Sequence, residues 1–353
     1  MSGDPSPTSM EDIVMAPAAG VAAPPASLTA GEQIAATLLQ ARRVAIVSHI
    51  IPDGDCLGSM LALGLALEQC GVEVITVNAD PVPDMFQFLP GQEKILPPER
   101  VGGVPSILVM VDSTDMERAG KGFSQWRQQA AVVINIDHHV SNTRFGDLNL
   151  VETRAAATAE IVYALLARMP VTITPAIATC LYTALATDTG SFQYENCTAA
   201  TMRLAARLME QGADLPLIRE YVWERKPLAS IRLLAAALPS LTLAYGGRVA
   251  WMTVARATLA ATGAQPEDAE GLVNYPRSIA GVEVGLLFRE LPEGSIKVSL
   301  RSKKIVDVNG IAARFGGGGH RRAAGCVIKG DLDTAVGWVL AATGEALNEH
   351  RVY

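Results

Sequence analysis

Three apolar, β-branched runs each stop at a group able to do chemistry, and this recurrence constrains the fold more than anything else in the chain. Arg43-Val-Ala-Ile-Val-Ser-His49 ends at a histidine and Ser106-Ile-Leu-Val-Met-Val-Asp112 at a carboxylate. Ala131-Val-Val-Ile-Asn-Ile-Asp137 ends at an aspartate followed by His138 and His139. Apolar runs without alternation belong to strands covered on both faces, and the helical stretches between them predict a parallel sheet. Ligands of such sheets sit beyond the carboxyl ends of the strands, so the three polar ends converge on one crevice.

The rest of the chain fills out this plan. A helix is expected from Thr29, which can cap it with Glu32 three residues on. Another is expected over Leu57–Gln69, with Gly58 and Ser59 in its first turn, then a strand over Val72–Val77. Helices are expected over Thr158–Arg168, Pro175–Ala186 and Thr198–Gln211, and Asp214–Leu243 reads as further helix bridging to a second unit. Beyond Gly247 the texture changes to short strands, at 249–254, 282–288 and 296–300, and a short helix over Asp307–Arg314. The expected fold is α/β: a doubly wound parallel-sheet domain over residues 31–213, a helical linker over 214–243 and a smaller mixed α/β domain over 244–353, with the active-site cleft between domains. Residues 1–30 begin with acids and carry Pro17, Pro24 and Pro25, so they read as a disordered extension rather than a signal peptide.

Composition narrows the function. Hydrophobic residues make up 49% of the 353, enough for a sizeable core. The chain carries 29 Lys and Arg against 36 Asp and Glu, a net charge of −7, which argues against a general binder of duplex nucleic acid. No apolar run has the length of a membrane span. Five scattered cysteines with no CxxC pair fit reduced thiols in a cytoplasm.

The first polar cluster is His49-Ile-Ile-Pro-Asp53-Gly-Asp55, leading into Cys56, Gly58 and Ser59. An aspartate here can equally cap the next helix. That explains one acid, not two acids and a histidine within seven residues. Asp112 alone reads as a turn residue, and adjacent histidines alone read as solvated loop. Asp188 closes an apolar helix, where a plain terminating turn is the simpler reading. The four together on one sheet edge point to metal ligation. Two histidines and four aspartates are the wrong set for a closed thiolate zinc site and suit two divalent ions, with Mn²⁺ the natural choice. Such a pair activates water and clamps a phosphoryl oxygen, so the implied reaction is hydrolysis of a phosphate ester or anhydride.

The last motif is Arg301-Ser302-Lys303-Lys304 followed by Arg314-Phe315-Gly316-Gly317-Gly318-Gly319-His320-Arg321-Arg322. A lone glycine run reads as a flexible linker. Flanked by cations and set between a helix and an apolar strand, this one reads as a phosphate-binding turn.

These residues, in this order, resemble the four motifs of the DHH phosphoesterase superfamily, and the glycine segment resembles its companion C-terminal substrate-binding domain. The resemblance covers about residues 31–345. It implies that His49, Asp53 and Asp112 hold one Mn²⁺ and that Asp55, Asp112, His138 and Asp188 hold the other. It also implies that His139 meets the substrate phosphate and supplies a proton, and that Asp137 orients a histidine. Arg301, Ser302, Gly317, Gly318, Gly319 and His320 would bind the nucleotide or its terminal phosphate. Order and size are similar to the nanoRNase/pAp phosphatase subgroup, which degrades very short RNA and dephosphorylates 3′-phosphoadenosine 5′-phosphate (pAp). Phosphodiesterases acting on cyclic di-AMP or linear dinucleotides (pApA, pGpG) share both domains and stay open as the alternative. RecJ-type exonucleases are larger, family II pyrophosphatases lack the GGGH segment, and a non-catalytic nucleotide-binding module would be expected to lose ligands that are all present. The partners implied are short single-stranded RNA, pAp or dinucleotides, with no membrane and no duplex, and a homodimer is compatible with the motifs.

Overall fold

The computed structural model describes residues 29–269, 271–292 and 294–349, and the extension expected before residue 29 lies outside them. Two compact units divide between Glu224 and Arg225.

The first unit opens with α1 (Ala30–Leu39), where Thr29 and Glu32 form the expected capping box. Then follow β1 (Arg43–Val47), α2 (Gly54–Gln69), β2 (Glu73–Val77), β3 (Ile107–Val111), α3 (Phe123–Gln129), β4 (Val132–Asp137) and β5 (Leu148–Val151). The strands form one parallel sheet in the order β2-β1-β3-β4-β5. The continuous apolar runs are explained by its two covered faces. Val44 and Ile46 join the core cluster containing α2, whereas Ala45 and Val47 join the opposite one, with Phe123 and Trp126 of α3. Strand order reverses between β1 and β3, which makes the end of that pair the natural binding crevice. The sequence reading omits β5; it is four residues long, half-buried and at the sheet edge, with too weak an apolar signal to stand out.

The unit continues through α4 (Thr158–Leu166), α5 (Pro175–Asp188), α6 (Ala199–Glu210) and α7 (Leu215–Arg219). α2 begins three residues before the expected start, because the Asp53 carboxylate caps it by accepting from the Asp55 and Cys56 backbone N–H groups. Gly58 and Ser59 therefore fall in its second turn. α2 lies hard against α5: a Cβ at Gly54 would come within 2.3 Å of Thr187, and one at Gly58 within 2.4 Å of the Cys180 carbonyl. α5 in turn runs two residues beyond expectation and delivers Asp188 on its last turn.

The second unit contains α8 (Leu228–Ala237), β6 (Thr242–Ala244), β7 (Val249–Val254), α9 (Arg256–Thr262), α10 (Asn274–Ser278), β8 (Val284–Glu290) and β9 (Ser295–Ser302). It closes with α11 (Val308–Ala313), β10 (Gly318–His320), β11 (Ala323–Lys329) and α12 (Leu332–Glu349). Its mixed sheet runs β10-β11-β9-β8-β7-β6, with only β7 and β8 parallel. The stretch 214–243, expected as one helical bridge, is instead divided between the units. Pro227 stands at its break, and α8 packs Leu233 and Ala237 against Met252 and Val254 of the second unit. The glycine run also differs from expectation, since Gly318–His320 is an edge strand paired with β11 rather than part of the turn. Among the described residues no helix is long and apolar enough to cross a membrane.

Candidate metal centre

The parallel register places the residues after β1, β3 and β4 at one edge of the first sheet, and α2 and α5 bring two further carboxylates to it. His49 is 4% exposed, Asp55 1%, Asp112 2% and His138 8%, a density of buried charge that needs a counterpart. Asp112 lies at the middle. Its Oδ2 stands 3.5 Å from His49 Nε2 and its Oδ1 3.7 Å from His138 Nε2, so each oxygen faces a different imidazole. Asp53 Oδ1 is 3.7 Å from His49 Nε2, while Asp55 and Asp188 stand 3.8 and 3.5 Å from His138 Nε2.

These separations are long for hydrogen bonds. They suit donors that share a cation, since two groups each about 2.1 Å from one ion stand roughly 3–4 Å apart. The histidines are also oriented for it. His49 Nδ1 donates to the Ile50 carbonyl at 2.8 Å and His138 Nδ1 to the Ala155 carbonyl at 3.2 Å, which directs each Nε2 lone pair inward. Among the described residues three groups of ligating atoms result: His49, Asp53 and Cys56; Asp112, His138 and His139; Asp55, His138 and Asp188. The donor set therefore fits divalent cations.

Around it is a second layer. The N-terminus of α4 holds Asp55, whose oxygens accept from Thr158 N at 2.7 Å, Ala159 N at 3.1 Å and Ser59 Oγ at 3.1 Å. Thr158 Oγ1 also donates to Asp112 Oδ1 at 2.8 Å. Asp137 accepts from His139 Nδ1 at 2.7 Å and from Asn142 Nδ2 at 2.5 Å. Thr158, Asn142 and Cys56 escape the sequence reading. Thr158 opens an expected helix, but nothing local marks its hydroxyl as a partner of Asp112, whereas Cys56, beside Asp55 on the first turn of α2, carries a signal that spacing alone could have raised.

Charge crowding sets the protonation pattern. Burial, then the neighbouring Asp112 and other acids, pushes the carboxyls of Asp55 and Asp188 well above the usual range. Burial opposes ionisation of Asp112 too, but His49, His139 and His138 hold it well below that range. For His139, burial works against the charged form, yet the Asp137 hydrogen bond and the surrounding acids raise it to about 9. Asp55 and Asp188 keep their protons to higher pH in the metal-free fold than in the unfolded chain. The stability they lend is complete below the ordinary carboxylate range and is lost as pH rises through the raised values. A bound cation offsets that loss, so added divalent metal should raise the melting temperature by several degrees more at about pH 8 than at about pH 5. Equal gains in calorimetry at both values would mean that these carboxyls bear no extra protons.

In the second unit, Arg301 on β9 pairs in register with Ala323 on β11, and Ala323 with His320 on β10, so Arg301 and the glycine strand share one end of the sheet. Arg301 Nη1 donates to the Leu300 carbonyl at 3.0 Å. Ser302 is 1% exposed and its hydroxyl donates to the Val306 carbonyl at 2.7 Å, which makes it a support of the 302–306 turn rather than a surface group. The side chain of His320 lies outside the described residues. The three expected glycines differ. A Cβ at Gly317 would come within 2.2 Å of the Gly325 carbonyl, and one at Gly319, at φ +145°, within 2.5 Å of the Ala323 carbonyl. Gly318 is exposed, and its nearest neighbour would be 3.8 Å away.

Residues 43–185 match the DHH family, N-terminal domain, and residues 249–345 the DHHA1 domain. The chain is 37% identical over 307 residues to the bifunctional oligoribonuclease and PAP phosphatase NrnA of Thermus thermophilus, covering 86% of this chain and 89% of the relative. It is 27% identical over 284 residues to the protein of the same name from Bacillus subtilis, covering 79% and 87%. The crystal structure of an exopolyphosphatase-related protein from Bacteroides fragilis superposes with a TM-score of 0.84 at 27% identity, over 90% of this chain and 96% of that one.

Proposed function

The chain belongs to the DHH family of phosphoesterases, and on that premise we propose that it hydrolyses short RNA oligonucleotides to mononucleotides and pAp to AMP at a dinuclear Mn²⁺ centre. The observation that carries the reading is Asp112, with one carboxylate oxygen toward His49 and the other toward His138. His49, Asp53 and Asp112 would hold one ion, and Asp55, Asp112, His138 and Asp188 the other. When bound, such ions supply a water acidic enough to attack near neutral pH and neutralise charge on the phosphoryl group. The protein's own groups do the rest. The Asp137 hydrogen bond favours the charged form of His139, and as an imidazolium the ring is able to pair with a phosphate oxygen and to give a proton to the departing oxygen. Asp137 fixes the ring through Nδ1 and is itself held by Asn142, which makes both positioning residues.

Substrate recognition falls to the second unit. Arg301 and the backbone of the glycine segment take a terminal phosphate, His320 joins them, and Ser302 shapes the adjoining turn. Gly317 and Gly319 are glycines for the sake of the fold, as their contacts require. Gly318 has room for a side chain, so its bareness serves the approach of a ligand. Gly318→Val should leave the melting temperature nearly unchanged and raise KM about 10- to 100-fold, the loss of one or two charge-assisted hydrogen bonds. Gly319→Ala should instead lower stability by about 2 kcal/mol or more. A Gly318→Val protein that melts early with normal KM would assign this glycine to the fold as well.

The net charge of −7 favours short substrates, since every phosphate beyond the anchored end meets an acidic protein. The test is a product time course on pAp, a 5-mer RNA, pApA, cyclic di-AMP and a duplex. Fast release of mononucleotides from RNAs of about two to five residues, fast conversion of pAp and negligible action on duplex are expected. Cyclic di-AMP, with no terminal phosphate, should be the poorer substrate. The reverse ranking, with cyclic di-AMP fastest and pAp untouched, makes this a cyclic-dinucleotide phosphodiesterase.

A further inference from the structure

The group formed by His49, Asp53 and Cys56 contains a donor that neither the family pattern nor the proposed reaction uses. The Cys56 sulfur, a His49 ring nitrogen and an Asp53 carboxylate oxygen all lie within 4.8 Å of one another. Cys56 is fully buried in the first turn of α2, the turn that Asp53 caps. Side chains there lean toward the helix N-terminus, and the thiol is within reach of the Asp53 carbonyl at 3.5 Å. Cys180 is equally buried and its sulfur likewise meets a backbone carbonyl, that of Pro90, but it belongs to no ligating group among the described residues. Burial alone therefore does not account for the placement of Cys56.

We infer that Cys56 is a further metal ligand, binding as thiolate the cation held by His49 and Asp53, and that it biases this position toward Zn²⁺ and Co²⁺ over Mn²⁺ and Mg²⁺. Thiolate is a soft donor, and adding it to an imidazole and a carboxylate moves the set toward ions of that class. As the metal–sulfur bond forms, the thiol proton passes to solvent. The inference rests on the reading of His49 and Asp53 as metal ligands.

The experiment is a titration of the full-length, metal-free protein with Co²⁺ alone, under reductant. Visible d–d bands report occupancy, and a near-ultraviolet charge-transfer band reports thiolate bound to cobalt. Both are expected in the wild type and in Cys180→Ala. Cys56→Ala and the nearly isosteric Cys56→Ser should keep the d–d bands and lose the charge-transfer band. Competition against Co²⁺ should show Zn²⁺ affinity about 10- to 100-fold weaker in these variants, with Mn²⁺ affected far less. Wild-type d–d bands without a charge-transfer band, or a band that survives Cys56→Ser, overturn the inference and leave the metal centre standing. Absence of d–d bands in the wild type overturns the metal reading beneath it.

Discussion

Asp112→Asn should lower turnover of every substrate by about a thousandfold or more in a protein that remains folded. The substitution is chosen for the backbone. Asp112 sits in the left-handed region at φ +54°, where asparagine is among the few residues accepted without much strain. Its N–H bond to the Ile136 carbonyl survives, and an amide oxygen still accepts from Thr158. What is lost is the second anionic oxygen, so one side of the carboxylate no longer serves as a ligand. The measurement pairs kcat on pAp at saturating Mn²⁺ with a thermal melt. Near-normal kcat in a well-folded Asp112→Asn protein would falsify the shared-carboxylate centre. Asp112→Ala should lose activity equally and melt earlier, because alanine pays about 1–2 kcal/mol in that conformation.

Gly58→Val should destabilise the first unit by about 3 kcal/mol and weaken metal retention with it. On an exposed helix, replacing glycine by a residue with a Cβ gains up to about 1 kcal/mol, so the predicted sign is the reverse of the propensity rule. The cause is the contact of α2 with α5, where a Cβ would overlap the Cys180 carbonyl and come within 2.8 Å of Ala184 Cβ. Forcing the helices apart withdraws Asp188, at the end of α5, from Asp55 and His138. Gly64 in the same helix is the internal control. Its nearest neighbour would be Val74 Cγ1 at 3.4 Å, so Gly64→Ala should be neutral or mildly stabilising. Denaturant melts of the two variants with and without metal decide the matter; equal effects at both positions would remove the special role of Gly58.

The parallel sheet was legible because each of β1, β3 and β4 is buried on both faces and so writes an uninterrupted apolar run. The candidate site was legible for the same reason, since those runs end at the sheet edge that gathers His49, Asp112 and Asp137. Less was readable where tertiary contact decides. α2 starts at Gly54 because Asp53 both caps the helix and faces His49, a double role that local propensity does not distinguish. β5 exists because β4 offers it an edge, not because Leu148–Val151 favours a strand. Ser302 and Gly318 show the limit in the second unit. Both stand in a motif that reads as substrate-binding, yet one hydroxyl is committed to a backbone carbonyl and one glycine is unconstrained by neighbours. Only three-dimensional placement separates these cases.

The dispersal of the candidate metal ligands along the chain also governs timing. His49 and Asp188 stand at opposite ends of the sequence that builds the centre, separated by four strands' worth of crossovers. A chain emerging from the ribosome has its first histidine early, yet its last carboxylate appears only when α5 is finished, and parallel pairings of this kind close slowly. Truncated or half-synthesised copies therefore hold no complete centre. The candidate centre is therefore completed late, only when the whole first unit has been made.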